Sequence, residues 1–149
     1  MKLTYKGDYA LKIVLDLSLA AGNRLVQMKD IAKRQDIPLK FLEQIVLLLK
    51  RAGYIRTVRG SKGGIALARD PQTITLGEII RLIEGSTSPI DCTNSANQEP
   101  CGFENRCPFR EVFSEVQKRI DEVVDGTSFA AMAERARAMK DKRTIDFSI

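Results

Sequence analysis

Three cysteines, Cys92, Cys101 and Cys107, follow one another as Cys-x8-Cys-x5-Cys, and the chain has no others and no histidine. A thiolate is a soft ligand for zinc or cluster iron and a nucleophile toward disulfides. The absence of histidine excludes imidazole ligand sets and the usual general base. The stretch is rich in Ser, Asn, Thr and Pro and lacks apolar periodicity, so it reads as a loop. Four chemistries suit it: an iron–sulfur cluster short of one cysteine, a zinc site, a thiol–disulfide switch, or inert thiols. Structural zinc usually takes four Cys or His ligands, a two-cysteine switch strands the third thiol, and inert cysteines prefer apolar surroundings. A cluster on three thiolates needs a fourth ligand, and the carboxylate candidates are Asp8, Glu84, Asp91, Glu99 and Glu104.

A second constellation is basic. Residues 1–70 carry 14 Lys and Arg against 6 Asp and Glu, whereas residues 71–149 carry 10 against 13. A basic first half suits a polyanion. The elements that must position this charge start with a helix over about 8–20, with Asp8 as its N-cap. A short helix over about Met28–Gln35 follows, then a turn at Asp36-Ile37. A third helix, Pro38 to Arg51, has Phe41, Leu42, Ile45, Leu48 and Leu49 on one face and Lys40, Glu43, Gln44 and Arg51 on the other. Leu47 lies on the polar face and reads as a surface leucine. Two short helices joined by a tight turn, the second with a polar outer face, make a helix-turn-helix. Two short strands, 54–59 and 65–69, flank the glycine-rich Gly60-Ser-Lys-Gly-Gly64 and make a β-hairpin wing with Arg56, Arg59, Lys62 and Arg69 around it. The loop lacks the spacing of a nucleotide cradle. The fold class is therefore mainly α with a small β wing. Lys40, Glu43 and Gln44 are placed to read the major groove of double-stranded DNA, and Arg56, Arg59 and Lys62 to hold phosphates or the minor groove.

Thr75 and Glu78 form a capping box for a helix that Gly85 ends. Beyond the cysteines, Phe109, Val112, Phe113, Val116, Ile120, Val123 and Val124 recur at helical spacing. A long helix past the globular unit needs a partner for this stripe, and its own copy in a two-fold dimer is the natural one. A last helix over about 128–140 carries Phe129, Met132 and Ala136. The organisation expected is a winged helix-turn-helix over 1–85, a cysteine loop over 86–107, a dimerisation helix with a C-terminal helix over 108–140, and a flexible tail over 141–149. No apolar run approaches a membrane span, and no signal-peptide core opens the chain, so the expected compartment is the cytoplasm. With no His, no Cys-x-x-Cys and no acid–base pair, a redox enzyme or electron carrier is the weaker alternative.

Leu3-Thr4, Phe41-Leu-Glu-Gln-Ile-Val, Lys50-Arg-Ala-Gly-Tyr-Ile, Val58-Arg-Gly-Ser-Lys-Gly-Gly and Leu67-Ala-Arg resemble the Rrf-two family of bacterial winged-helix transcription regulators over roughly residues 1–140. The resemblance implies a homodimer, expected to be a repressor, on a palindromic operator, with Glu43, Gln44 and Arg59 as reading residues. It also implies a [2Fe–2S] or [4Fe–4S] cluster on the three cysteines. Likeness to nitric-oxide-sensitive members points to Asp8 of the other subunit as fourth ligand. Lys40 stands where relatives often have a small polar residue, and Ile65 where an aromatic is usual. A regulator that uses thiols or zinc without a cluster is the alternative.

Overall fold

A computed structural model describes residues 2–94, 101–103 and 106–146. The described α-helices and strands are α1 (Tyr5–Leu19), α2 (Met28–Gln35), α3 (Leu39–Arg51), β1 (Ile55–Val58), β2 (Gly64–Leu67), α4 (Leu76–Glu84), α5 (Pro108–Asp125) and α6 (Phe129–Asp146). Helix α1 buries Ala10, Ile13, Val14 and Leu17, the three- and four-residue spacing of an inward stripe. It opens earlier than expected. Thr4, not Asp8, is the N-cap, its hydroxyl accepting from the Gly7 N–H at 3.3 Å. Asp8 lies inside the first turn, where a negative charge suits the helix N-terminus, and its carboxylate pairs with Lys12 at 2.7 Å.

Asp16 on α1 is buried and fully engaged. Arg34 donates to it from Nε at 3.0 Å and from a terminal nitrogen at 2.6 Å, and Gln35 donates at 2.9 Å. This fixes the end of α2 on α1. Asp36 then turns the chain in the left-handed region, and Pro38 flanks α3 rather than opening it. Helix α3 buries Leu42, Ile45, Val46 and Leu49. Phe41, expected on that face, is instead 54% exposed. It lies roughly a quarter-turn from the centre of the stripe, and Val46 takes the buried edge.

The wing is the antiparallel pair β1–β2, with Ile55 opposite Leu67 and Val58 opposite Gly64. Its outer edge is also paired, since Val26 and Ile65 exchange two backbone hydrogen bonds of 2.8 Å. The double glycine is required by close approach. A Cβ on Gly63 would stand 2.1 Å from the Val58 carbonyl oxygen, and one on Gly64 2.6 Å from that of Val26. The expected capping box holds at Thr75–Glu78, and Gly85 stops α4 in the left-handed region.

The chain's return was not foreseen. The Leu76 N–H donates to Thr127 O at 3.0 Å, and the Phe129 N–H donates to Ile74 O at 2.9 Å. The Phe129 side chain is 1% exposed and belongs to the same core as Ile13, Leu42 and Ile65. Helix α6 packs on α1 and runs to Asp146, past Lys140, where a tail was expected. Phe129→Ala should lower the unfolding free energy by about 3–5 kcal/mol, read from the urea midpoint of the whole domain. A midpoint unchanged within error would show that α6 is independent of this core.

Candidate functional site

Helix α3 presents Lys40, Glu43, Gln44, Leu47, Lys50 and Arg51 on its exposed side. The wing presents Arg56, Arg59 and Lys62. Between them runs a groove of about 390 Å³ whose lining includes Glu43 from α3, Lys29 from α2, and Arg59 and Gly60 from the wing. The fold thus brings Glu43 and Arg59, sixteen residues apart in the chain, to one surface. Gln27 donates to the Gly63 carbonyl and ties the wing tip to the start of α2. Among the described residues, Lys40, Glu43, Gln44, Arg59 and Lys62 make no side-chain hydrogen bond or ion pair, so these donors and acceptors face water. Glutamate can accept from cytosine N4 and glutamine can pair with adenine, which this arrangement permits. Arg56 is partly committed, 3.4 Å from the Asn23 carbonyl. Arg69, expected to add charge to the wing, stays exposed but is committed to its own domain. It stacks 5.0 Å from the Tyr54 ring and pairs with Glu78 at 3.3 Å.

One part of this surface was missed from sequence. Thr4, Tyr5, Lys6 and Tyr9 of the α1 end meet Phe41, Gln44 and Ile45 of α3 around a mostly apolar groove of about 540 Å³. Counting Phe41 as core hid it. The signal available was the off-centre position of Phe41 on its helix.

The three cysteines are free thiols outside the core. Cys92 is half-buried in a 3₁₀ turn, Asp91–Thr93, that packs on α5. Cys107 is half-buried and directly precedes α5, while Cys101 is exposed. Among the described residues, no group of three His, Cys, Asp or Glu side chains converges closely enough to hold a metal ion. The candidate ligands Glu99 and Glu104 lie outside the described residues. The Glu84 carboxylate is occupied by its own chain, accepting from the Thr4 N–H at 3.0 Å and the Thr4 hydroxyl at 2.8 Å. Asp8 is at the surface with its Lys12 partner. The three thiols are of the soft donor type that cluster iron takes, but among the described residues they are not gathered into one ligand group.

The start of the loop is held by polar contacts that run from α4 and Thr87 to the later turns of α5. Arg81 donates to Asp125 at 2.7 and 2.8 Å and to Asp121 at 2.7 Å. Thr87, 2% exposed, donates to Asp121 at 2.7 Å, and Gln117 donates to both Thr87 at 2.9 Å and Asp121 at 2.8 Å. Burial pushes the Asp121 carboxyl up, but the hydrogen bonds from Gln117, Thr87 and Arg81 and the Arg81 charge outweigh it. Its pKa ends below the ordinary carboxylate value.

A helix-turn-helix, a paired wing and an uncommitted polar face on α3 define a winged-helix DNA-binding regulator. The family model described as "Iron-dependent Transcriptional regulator", Rrf2, matches residues 3–135. The chain belongs to this family. It is 33% identical to the HTH-type transcriptional regulator IscR of Aliivibrio salmonicida, over 100% of this chain and 88% of that one. It is also 33% identical to the HTH-type transcriptional regulator CymR of Bacillus subtilis, over 89% of this chain and 90% of the relative. Among solved structures it resembles CymR, titled the global cysteine regulator of B. subtilis, with a TM-score of 0.77 at 32% identity, covering 91% of this chain and 98% of the other. It also resembles T. potens IscR, with a TM-score of 0.72 at 32% identity, covering 91% and 88%. These relatives are transcription regulators, and the chain is a regulator rather than an enzyme. Among the described residues, no helix is long and apolar enough to cross a membrane.

The lowered Asp121 carboxyl carries a pH signature. Its contribution to stability is full above the unfolded carboxylate value and is lost as pH falls through the lower folded value. Asp121→Asn should therefore cost stability near neutral pH and show a shallower acid limb than wild type, read by denaturant unfolding at a series of pH values.

Proposed function

We propose that the protein is a homodimeric DNA-binding repressor that responds to redox state, nitric oxide or iron–sulfur status. Cys92, Cys101 and Cys107 would hold a [2Fe–2S] or [4Fe–4S] cluster. The observation that carries this reading is the placement of three free, non-core thiols between α4, which packs on α1 of the reading head, and α5, which packs on α4. When bound, the cluster supplies iron open to nitric oxide or oxygen wherever an oxygen ligand replaces a thiolate. Asp8 is the proposed oxygen ligand, given by a second copy. Its surface position, with Lys12 as counter-ion, leaves it accessible to another chain.

Helix α5 supports the dimer. The apolar stripe read from the sequence divides into two faces. Phe113, Ile120 and Val124 are wholly or partly covered, while Phe109, Val112, Val116 and Val123 stay exposed. The second group is the proposed dimer seam, since two heads must span half-sites about 34–36 Å apart on a palindromic operator. On DNA, Lys40, Glu43 and Gln44 of α3 enter the major groove, and Arg56, Arg59 and Lys62 hold the backbone and adjacent minor groove. Lys62→Ala should weaken binding to all sequences and reduce the salt slope by about 1. Glu43→Ala should relax base preference at one position of each half-site, read by titrations on operator variants.

A second reading is a regulator whose thiols act without a cluster. It is favoured by the absence, among the described residues, of a preassembled ligand group. Anaerobic purification separates the two. The cluster reading predicts a coloured protein with bound iron and sulfide that Cys92→Ala, Cys101→Ala or Cys107→Ala abolishes. A colourless, iron-free wild type that still binds DNA contradicts it.

A further inference from the structure

We propose that Thr87, Gln117, Asp121 and Arg81 form a positioning joint through which the cysteine loop sets the placement of the reading head. The proposal rests on the sensing role of the loop given above. Thr87 stands two residues beyond Gly85, the left-handed stop of α4, and five before Cys92. It is the buried anchor at the start of the loop, and α5, which begins where the loop ends, grips it.

The joint has two unequal halves. On one side, Arg81 binds Asp125 through two parallel hydrogen bonds and reaches Asp121 as well. Forked, charge-assisted pairs of this kind are the strong ones. The fit is built into α4, where a Cβ on Gly77 would fall 1.9 Å from an Asp125 carboxylate oxygen. On the other side, Thr87 is held by one hydroxyl, which donates to Asp121 and accepts from Gln117. The Gln117 carbonyl oxygen is buried without a partner among the described residues. A buried acceptor left unpaired costs free energy, so this half is only partly satisfied. It is the half that gives when the loop is pulled, while the Arg81 half keeps α5 on α4.

The path from there to DNA is short. Next to Gly85 is Glu84, whose carboxylate accepts two hydrogen bonds from Thr4. Thr4 caps α1 and lines the groove that also holds Phe41 and Gln44 of α3. Movement at Thr87 thus reaches the start of α1 and the reading helix through covalent neighbours and hydrogen bonds.

The test compares DNA affinity of cluster-loaded and cluster-stripped full-length protein, by fluorescence anisotropy under anaerobic conditions, for wild type, Thr87→Val and Thr87→Ser. Wild type is expected to show a loaded-to-stripped ratio between about 5- and 150-fold. In Thr87→Val that ratio should collapse toward one, with cluster content and melting temperature retained, and Thr87→Ser should restore it. Gln117→Met removes one of the two hydrogen bonds at the Thr87 hydroxyl while leaving Thr87 in place and should lower the ratio in the same direction as Thr87→Val. In the stripped protein, amide hydrogen exchange over residues 86–90 should quicken in Thr87→Val. A wild-type ratio preserved in both Thr87→Val and Gln117→Met overturns the joint while leaving the sensing role intact. A wild-type ratio of one overturns the sensing role and the joint with it.

Discussion

Ile74 and Leu76 meet Phe129 and Thr127 through two backbone hydrogen bonds, and the Phe129 ring is buried in the core of the winged helix. This closure constrains everything between. The segment from α4 through the cysteines to the end of α5 becomes a loop tied at both ends to one core, not an arm hung from a DNA-binding head. A change in the cysteine stretch therefore has to be absorbed by α4, α5 or the contacts between them. Arg81, Asp121 and Asp125 supply the charged part of those contacts, and Thr87, five residues before Cys92, supplies the part held through one hydroxyl.

The reading head depends on a comparable logic. Asp16 is buried at the junction of α1 and α2, and its three hydrogen bonds from Arg34 and Gln35 compensate its burial. Val26 closes the free edge of the wing on Ile65. The turn, the reading helix and the wing are thus registered to one another before any DNA arrives. Such preorganisation lets a few exposed side chains carry recognition.

Much of this was legible in the residues. Periodicity placed α2, α3 and α4 within a residue or so, and the capping box and Gly85 marked both ends of α4 because local chemistry alone sets them. The glycine-rich hairpin was legible for the same reason. What could not be read was tertiary. Asp8 and Thr4 are both good caps, and Glu84, eighty residues away, engages Thr4. The long stripe on α5 gave one period but not the two faces into which packing divides it. Phe129 looked like one apolar residue of a peripheral helix, and only its hydrogen-bonded approach to Ile74 brings it into the core. The thiols announced ligand chemistry by type and spacing, but not how the loop would be folded around a ligand.

On the function proposed above, one chain joins a sequence reader to a loop that holds a cluster. Footprinting of promoter DNA with anaerobically prepared protein, before and after nitric oxide treatment, tests it most directly. The expected result is a two-fold symmetric footprint with half-sites about one helical turn apart, lost or weakened on treatment and unresponsive in a Cys92→Ala, Cys101→Ala, Cys107→Ala variant. An identical footprint for wild type in both conditions would contradict it.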